Sequence, residues 1–479
     1  LSFRPTVRIP GNMTQLKKLY QNMMAKRQGF LILDNVASAQ QIKDLKPSTS
    51  GFWIVIFTAE KKTNLNDVHS IHVEPLDVES AQELLIDCSL RLKPRAREIA
   101  KLCRGIPLAL HMCGKFLSAK MKVHPEDFVN LFRKHRNNSL LERNDEYEES
   151  LLAAFKAIYI SLSEKERMVF NQLAIFPSSF DAKASAQICE DNANCINSLS
   201  KFGLVKINTI TKRYSLHGWI RSQLKNYLSE TVGREARLRH ANYYLTTLNW
   251  AHENILKGGE KACEGFQIFH REWANIQASL NRMRKNSVEG KKAAGIFDSY
   301  IVSGAELLPL RYFPKECLSF LDNGLKVSQR LGANNREAIH LLNLGVFHNA
   351  QKKYVSAEEC LNQADQLSST DIQTKGKTIN ELARLYLSQD KINEAIDILL
   401  RKKQLCREHK LEVDEEVSLM RLGLAYEKKG DFDKAVQIMM EGKGKAKEVG
   451  NVSCMGDTSK ASWLLSGQAQ KIIKRRKLF

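Results

Sequence analysis

Two stretches, LNLGVFHNAQKKYVSAEECLNQA at 342–364 and LMRLGLAYEKKGDFDKAVQIMMEG at 419–442, place small residues at the same interval. Gly345, Ala357 and Ala364 stand at steps of 12 and then 7, and so do Gly423, Ala435 and Gly442. Outward from these, Ala305, Cys317 and Gly324 keep the interval, as do Ala383, Ala395 and Lys402, where Lys402 is the one large side chain. The four sets begin 40, 38 and 40 residues apart. Residues seven apart share a helix face, whereas a step of twelve crosses a turn, here at Lys352-Lys353, Gln389-Asp390 and Lys429-Gly430-Asp431. Each unit therefore reads as a helix pair drawn close at its small residues, with Leu344, Tyr386, Leu399 and Met439 among the large ones filling the space around them. One pair cannot bury its apolar face alone, so the core forms by stacking.

These segments resemble tetratricopeptide repeats lengthened in their connections. The resemblance implies an all-α repeat array over 291–465 whose concave surface takes a protein or peptide. It implies no chemistry.

The rest of the chain is organised differently. At 479 residues it exceeds what one core holds, and 43% apolar with 26% charged residues is ordinary for packed globular domains. Its longest apolar runs, Phe30–Leu33 and Phe52–Phe57, are far short of a membrane span of about 20 residues. Ten scattered cysteines suit a reducing, cytoplasmic setting, and neither Cys103 with Cys113 nor Cys189 with Cys195 has zinc-knuckle spacing. The net charge of +20 favours acidic partners without specifying a fold. Its densest run, Lys471 to Lys477 in a basic tail over 466–479, is either a solvated end or a nuclear address.

Near the front, Phe30–Leu33 followed by Asp34, and Trp53–Phe57 followed by Thr58, read as parallel strands buried on both faces, with a short helix between them over 37–45. An acid at such a strand end can hold a magnesium-bound water, although it is also an ordinary strand terminus. Asp77 suits the N-cap of a helix with Ala81, Leu84, Leu85 and Cys88 on one face. Ser163-Glu-Lys-Glu166 is a capping box, and a helix near Cys195–Phe202 leads into a small hairpin, the outline of a winged helix.

In order, FLILDNV (30–36), IVIFTAE (54–60), GIPLAL (105–110) and YSLHGWIR (214–221) resemble the NB-ARC module of STAND-class NTPases over roughly residues 15 to 230. REWANIQASL (271–280) is similar to a segment joining such switches to their repeats. The resemblance implies an α/β fold with part of a P-loop NTPase parallel sheet over 1–75, a helical ARC-type subdomain over 76–150, a winged helix over 151–232 and a helical linker over 233–290. By that resemblance Asp34 serves magnesium through water, Thr58 senses phosphate, Pro107 touches adenine and His217 contacts the phosphate of ADP. Read without it, Pro107 is a helix-boundary residue and His217 a satisfied structural histidine.

Departures from the pattern limit what the chain can do. It has no Gly-x-x-x-x-Gly-Lys-Ser/Thr loop, so ADP or ATP with magnesium is expected to bind only if that loop stands on upstream sequence of which this chain is a fragment. Asn35 replaces a second acid, Glu60 an arginine and Gly218 an aspartate, so little or no hydrolysis is expected. A signalling switch that self-associates on activation is the leading expectation. A repeat adaptor with a decayed nucleotide site is the alternative, and winged-helix DNA binding ranks last because the helix before the hairpin offers only Lys201 as a cation.

Overall fold

The structure, a computed structural model, describes residues 13–449 apart from 26, 35, 37, 49–50, 59–68, 140–145, 192–193, 289, 313 and 410. Asn35, Glu60 and the basic tail of 466–479 lie outside the described residues. Of the described residues 74% are helical, in 21 α-helices, and there is a small parallel sheet. It divides into two compact units, 1–283 and 284–479.

The first unit opens with α1 (Met13–Met24), β1 (Gly29–Leu33), α2 (Ala39–Leu45) and β2 (Phe52–Ile56). The strands pair in parallel, from Gly29 opposite Phe52 to Leu33 opposite Ile56. The crossover helix α2 buries Ile42 against Leu33 and Val36, with Leu31, Ile54 and Ile56 around them. On the opposite face Phe30 and Trp53, partners in register, are 76% and 75% exposed, and Ile32, Val55 and Phe57 are exposed beside them. The expectation of two-sided burial is therefore corrected: α2 lies on one side only, and alternate residues on both strands stay bare among the described residues.

Next come α3 (Val78–Cys88), α4 (Ala96–Leu102), α5 (Pro107–Ala119) and α6 (Pro125–Ser139). Asp77 caps α3 by accepting from the Ser80 amide at 2.8 Å. Then follow α7 (Glu146–Ser161), α8 (Glu164–Leu173), α9 (Ala182–Cys189), α10 (Asn194–Lys201), a hairpin of β3 (Lys206–Ile207) and β4 (Tyr214–Ser215), and α11 (Gly218–Leu224). The capping box Ser163/Glu166 opens α8, and Phe155, Phe170, Phe176 and Phe180 are fully buried in this part. Two long helices, α12 (Glu230–Lys257) and α13 (Gly259–Asn286), complete the run.

The second unit comprises α14 (Lys291–Gly304), α15 (Pro314–Leu331), α16 (Asn334–Ala350), α17 (Tyr354–Leu367), α18 (Ile372–Ser388), α19 (Ile392–Glu408), α20 (Glu412–Lys429) and α21 (Phe432–Val449). From α15 on each helix packs against the next, and α16, α18 and α20 also meet in succession. A Cβ on Gly345 would stand 2.5 Å from Leu361 Cγ, and one on Gly423 2.5 Å from Met439 Cγ, so these glycines set the closeness of their pairs. Lys352, Asp390 and Gly430 all have φ near +60° to +84° and each lies seven residues after Gly345, Ala383 and Gly423, so the three turns are one structure.

Two members keep the interval but depart from the pattern around it. Ala305 caps α14 and lies outside it, because Leu308-Pro309-Leu310 starts a short 3-10 turn that cannot continue the α-helix, so the first set does not share the geometry of the others. Lys402 is fully buried despite its length, with Gly376 on the facing helix beside it: a Cβ there would stand 3.7 Å from Lys402 Cε, an ordinary contact.

Three outcomes follow. Replacing Phe30 with Lys and Trp53 with Glu together should lower self-association and the fluorescence of an apolar dye while changing stability by no more than about 0.5 kcal/mol, since neither side chain is buried. Gly345→Ala should destabilise the second unit by about 1–3 kcal/mol through overpacking. Gly444→Ala, with nothing within 4 Å of its Cβ inside α21, should stabilise by about 0.5–1 kcal/mol; urea unfolding of both compares the signs.

Candidate functional site

The loop after β1 is tied to the end of β2 by Phe57 N donating to Leu33 O at 2.8 Å and Val36 N donating to Phe57 O at 3.0 Å. Asp34 is exposed between these bonds, and the Thr58 hydroxyl donates to Val36 O at 2.9 Å. Asp34 and Thr58 thus share the carboxyl edge of a parallel pair, where ligands gather in open α/β sheets.

Pro107 occupies the first turn of α5, where a missing N–H costs no hydrogen bond, and its ring is exposed. Gly105 before it has φ +68°, and a Cβ there would come within 1.9 Å of Leu76 O. The glycine of Gly-x-Pro is therefore required by the approach of the 69–77 segment, whose Leu76 amide donates to Gly105 O at 3.0 Å. Farther along, α5 meets the turn after α10: Phe116 packs edge-on against Phe202 with centroids 5.4 Å apart, and Gly203 fits against His111 and Lys115. Burial, then the neighbouring Lys115, holds His111 below its ordinary pKa.

His217 is the N-cap of α11, its Nδ1 accepting from the Trp219 amide at 3.3 Å. Burial and Arg221 push its pKa down, so at neutral pH the ring is uncharged, with Nδ1 as acceptor and the proton on Nε2. Gly218 after it has open space around its Cα. Of the four residues singled out, the structure brings Asp34 and Thr58 to one edge, while Pro107 and His217 each open a helix of their own.

An unanticipated group links the hairpin to α13. Arg213, beside β4, donates from Nη1 and Nη2 to the two carboxylate oxygens of Glu272 at 2.7 and 2.9 Å. Its Nε and Nη2 reach the hydroxyl and carbonyl of Ser179 at 3.0 and 2.7 Å. Asn275, one turn on, donates to the same carbonyl at 3.0 Å. Arg213 and Glu272 are both nearly buried, which makes this a paired, fully hydrogen-bonded charge inside the unit. The sequence signal was Glu272 and Asn275 on the same helical face as Ile276, Ser279 and Leu280, all buried: polar residues facing inward need partners.

Between α9, α12 and α13 lies a groove of about 590 Å³ with Glu272 in its wall and Lys183, Tyr243, Trp250 and Arg271 around it. Sequence reasoning did not find it, because its residues come from three helices and share no motif.

The sequence model of one family, the tetratricopeptide repeat, matches residues 417–443. No curated protein matches the chain significantly in sequence. Among solved structures, a Signal Transduction ATPase with Numerous Domains (STAND) protein with a tetratricopeptide repeat sensor from Pyrococcus horikoshii is similar over 92% of this chain at 17% identity and a TM-score of 0.52. The chain spans 66% of that protein. BtubC from P. vanneervenii is similar over 45% of this chain and 93% of its own length at 17% identity, with a TM-score of 0.35, too low to carry an argument. The chain therefore combines a STAND-like architecture with tetratricopeptide repeats at its C-terminal side.

Glu272→Ala should destabilise the first unit by about 3–5 kcal/mol, since it strands the buried Arg213. Glu272→Leu combined with Arg213→Met should cost less than Glu272→Ala alone. Hydrogen exchange across 213–283 reports both, and equal losses of protection would show that the charges do not act as a pair.

Proposed function

We propose that the chain is the regulatory and sensing part of an NB-ARC-type signalling switch, in which ADP or ATP with magnesium controls a scaffold whose tetratricopeptide repeats take a protein partner. One observation carries the reading: a STAND-like fold followed by a tetratricopeptide repeat runs through 92% of the chain. In this proposal the helices and hairpin from α8 to α11 form a winged helix, and α3 to α6 form the ARC-type subdomain.

The residues fit the nucleotide unevenly. Asp34, exposed at a strand end, suits a magnesium-bound water. His217 suits a phosphate oxygen, since its Nδ1 is engaged by the Trp219 amide and its Nε2 carries the proton. Pro107 presents an exposed ring for a base to pack on. Thr58 fits less well, because its hydroxyl already donates to Val36 O and would have to turn away to meet phosphate. The chain has no phosphate-binding glycine loop, so these residues are a partial site, and with Asn35 and Glu60 in place of an acid and an arginine we propose binding with little hydrolysis.

Calorimetry with ADP on this chain and on the same chain extended upstream tests the reading. The extended chain is expected to bind, and His217→Ala or Pro107→Ala to weaken binding roughly tenfold, the loss of one charge-assisted or packing contact. An extended chain that carries the glycine loop and still fails to bind would sink the switch and leave a repeat adaptor.

A further inference from the structure

The groove between α9, α12 and α13 plays no part in the proposed nucleotide site. Its floor is a stripe along α12: Arg239, Tyr243, Thr247 and Trp250 recur every three or four residues and so share one face. From Arg239 to Trp250 this face runs about 16 Å at 1.5 Å per residue, the length of about five residues of extended chain. Lys183 on α9 stands on one wall and Arg271 on α13 on the other.

The acids of the groove are already engaged. Asp181 caps α9, accepting from the Ala184 amide at 2.7 Å. Glu272 has both oxygens on Arg213, so the Nε of Arg271 at 3.1 Å meets a carboxylate whose charge is matched from behind. Arg271 itself is 53% exposed. Arg239 is committed to Ile188 O, Gln172 and Glu190, which leaves Lys183 and Arg271 as the two cations offered to a ligand. Tyr243 is already engaged: its hydroxyl donates to Asp181 Oδ1 at 3.4 Å, and burial and then Asp181 push its pKa up. Trp250, 41% exposed, closes one end of the stripe with an aromatic face.

We propose that this groove binds a short acidic peptide in extended conformation, with an aromatic or apolar residue against Trp250. A small enclosed anion suits it less, because Arg213, the buried cation behind Glu272, has its donors occupied by Glu272 and Ser179. The cations that remain are rim side chains on opposite walls, which fits charges spread along a chain. The exposed amides of Gln187 and Asn242 add donors and acceptors suited to a peptide backbone. Charge complementarity selects acidic over neutral partners.

The experiment is fluorescence anisotropy of labelled Ac-EEFEEE-amide against the full chain at physiological salt, beside Ac-QQFQQQ-amide. The acidic peptide should bind roughly tenfold tighter than the neutral one. Lys183→Ala with Arg271→Ala, both exposed side chains, should weaken it roughly tenfold, and Trp250→Ala about threefold. Lys377→Ala with Lys428→Ala, which removes two exposed cations from the other unit, should change it by less than about twofold. The proposal is overturned if the peptide does not bind, if both double variants lose affinity equally, so that binding reflects the net charge of +20 alone, or if millimolar inorganic phosphate displaces the peptide fully, which would make the groove a small-anion site.

Discussion

A helix pair in the second unit cannot hide its own apolar stripe, and everything from α16 onward follows from how closely the next pair is allowed to come. Gly345 lies against Leu361, and Gly423 against Met439, at distances no added methyl would tolerate. The turn inside each pair is held at one left-handed residue, and Lys352, Asp390 and Gly430 adopt it although two of the three carry a side chain. That two non-glycine residues accept this conformation shows that the stacking around the turn outweighs the local strain of about 1 kcal/mol. Lys402 is the exception inside the unit: a long charged residue is fully buried where its counterparts are small.

In the first unit an analogous role falls to charge. Arg213 ends the turn of a hairpin only two residues long on each side, too small to fix its own position by strand pairing. Glu272 on α13 and Ser179 hold it from the other side, and Asn275 donates to the same Ser179 carbonyl, so the hairpin, the loop before α9 and α13 form one hydrogen-bonded body. The segment 271–280, which resembles a connector, therefore clamps as well as connects. The proposed peptide groove has that same Glu272 in its wall, so a ligand pressing on Arg271 would act one residue from the clamp.

The parts of this fold legible in the sequence were those written in local patterns. The 12-and-7 interval marked helix pairs because close packing admits only small residues at fixed turns of a helix, and the caps at Asp77 and Ser163 were readable because a helix start has local chemistry. The parallel pairing of Phe30–Leu33 with Trp53–Phe57 was legible from two apolar runs and a short crossover. Its bare face was not, because an apolar run looks the same whether one side or both are covered. Ala305 matched the interval by position while Pro309 broke the geometry, and composition at fixed offsets does not register a backbone that lacks a donor. Of the candidate site, Asp34 and Thr58 were placed together by strand order alone; Arg213 with Glu272 and the groove beside them join residues more than fifty positions apart, where no spacing rule reaches.

The hydrogen bonds already present at the candidate nucleotide residues say how such a site would have to work. Thr58 donates to Val36 O and His217 accepts from the Trp219 amide, so each is held by its own backbone before any ligand arrives. For His217 this is preorganisation: the bond selects the tautomer, and burial with Arg221 keeps the ring neutral, leaving Nε2–H as donor with no rearrangement. For Thr58 it is competition, since a phosphate would have to displace a bond worth about 0.5–1.5 kcal/mol that also ties the β1 loop to the β2 end. A nucleotide binding here would therefore be held more readily at the α11 side than at the strand edge, and Thr58 would turn only for a ligand that repaid the loss, which is the behaviour of a residue that distinguishes one phosphate state from another.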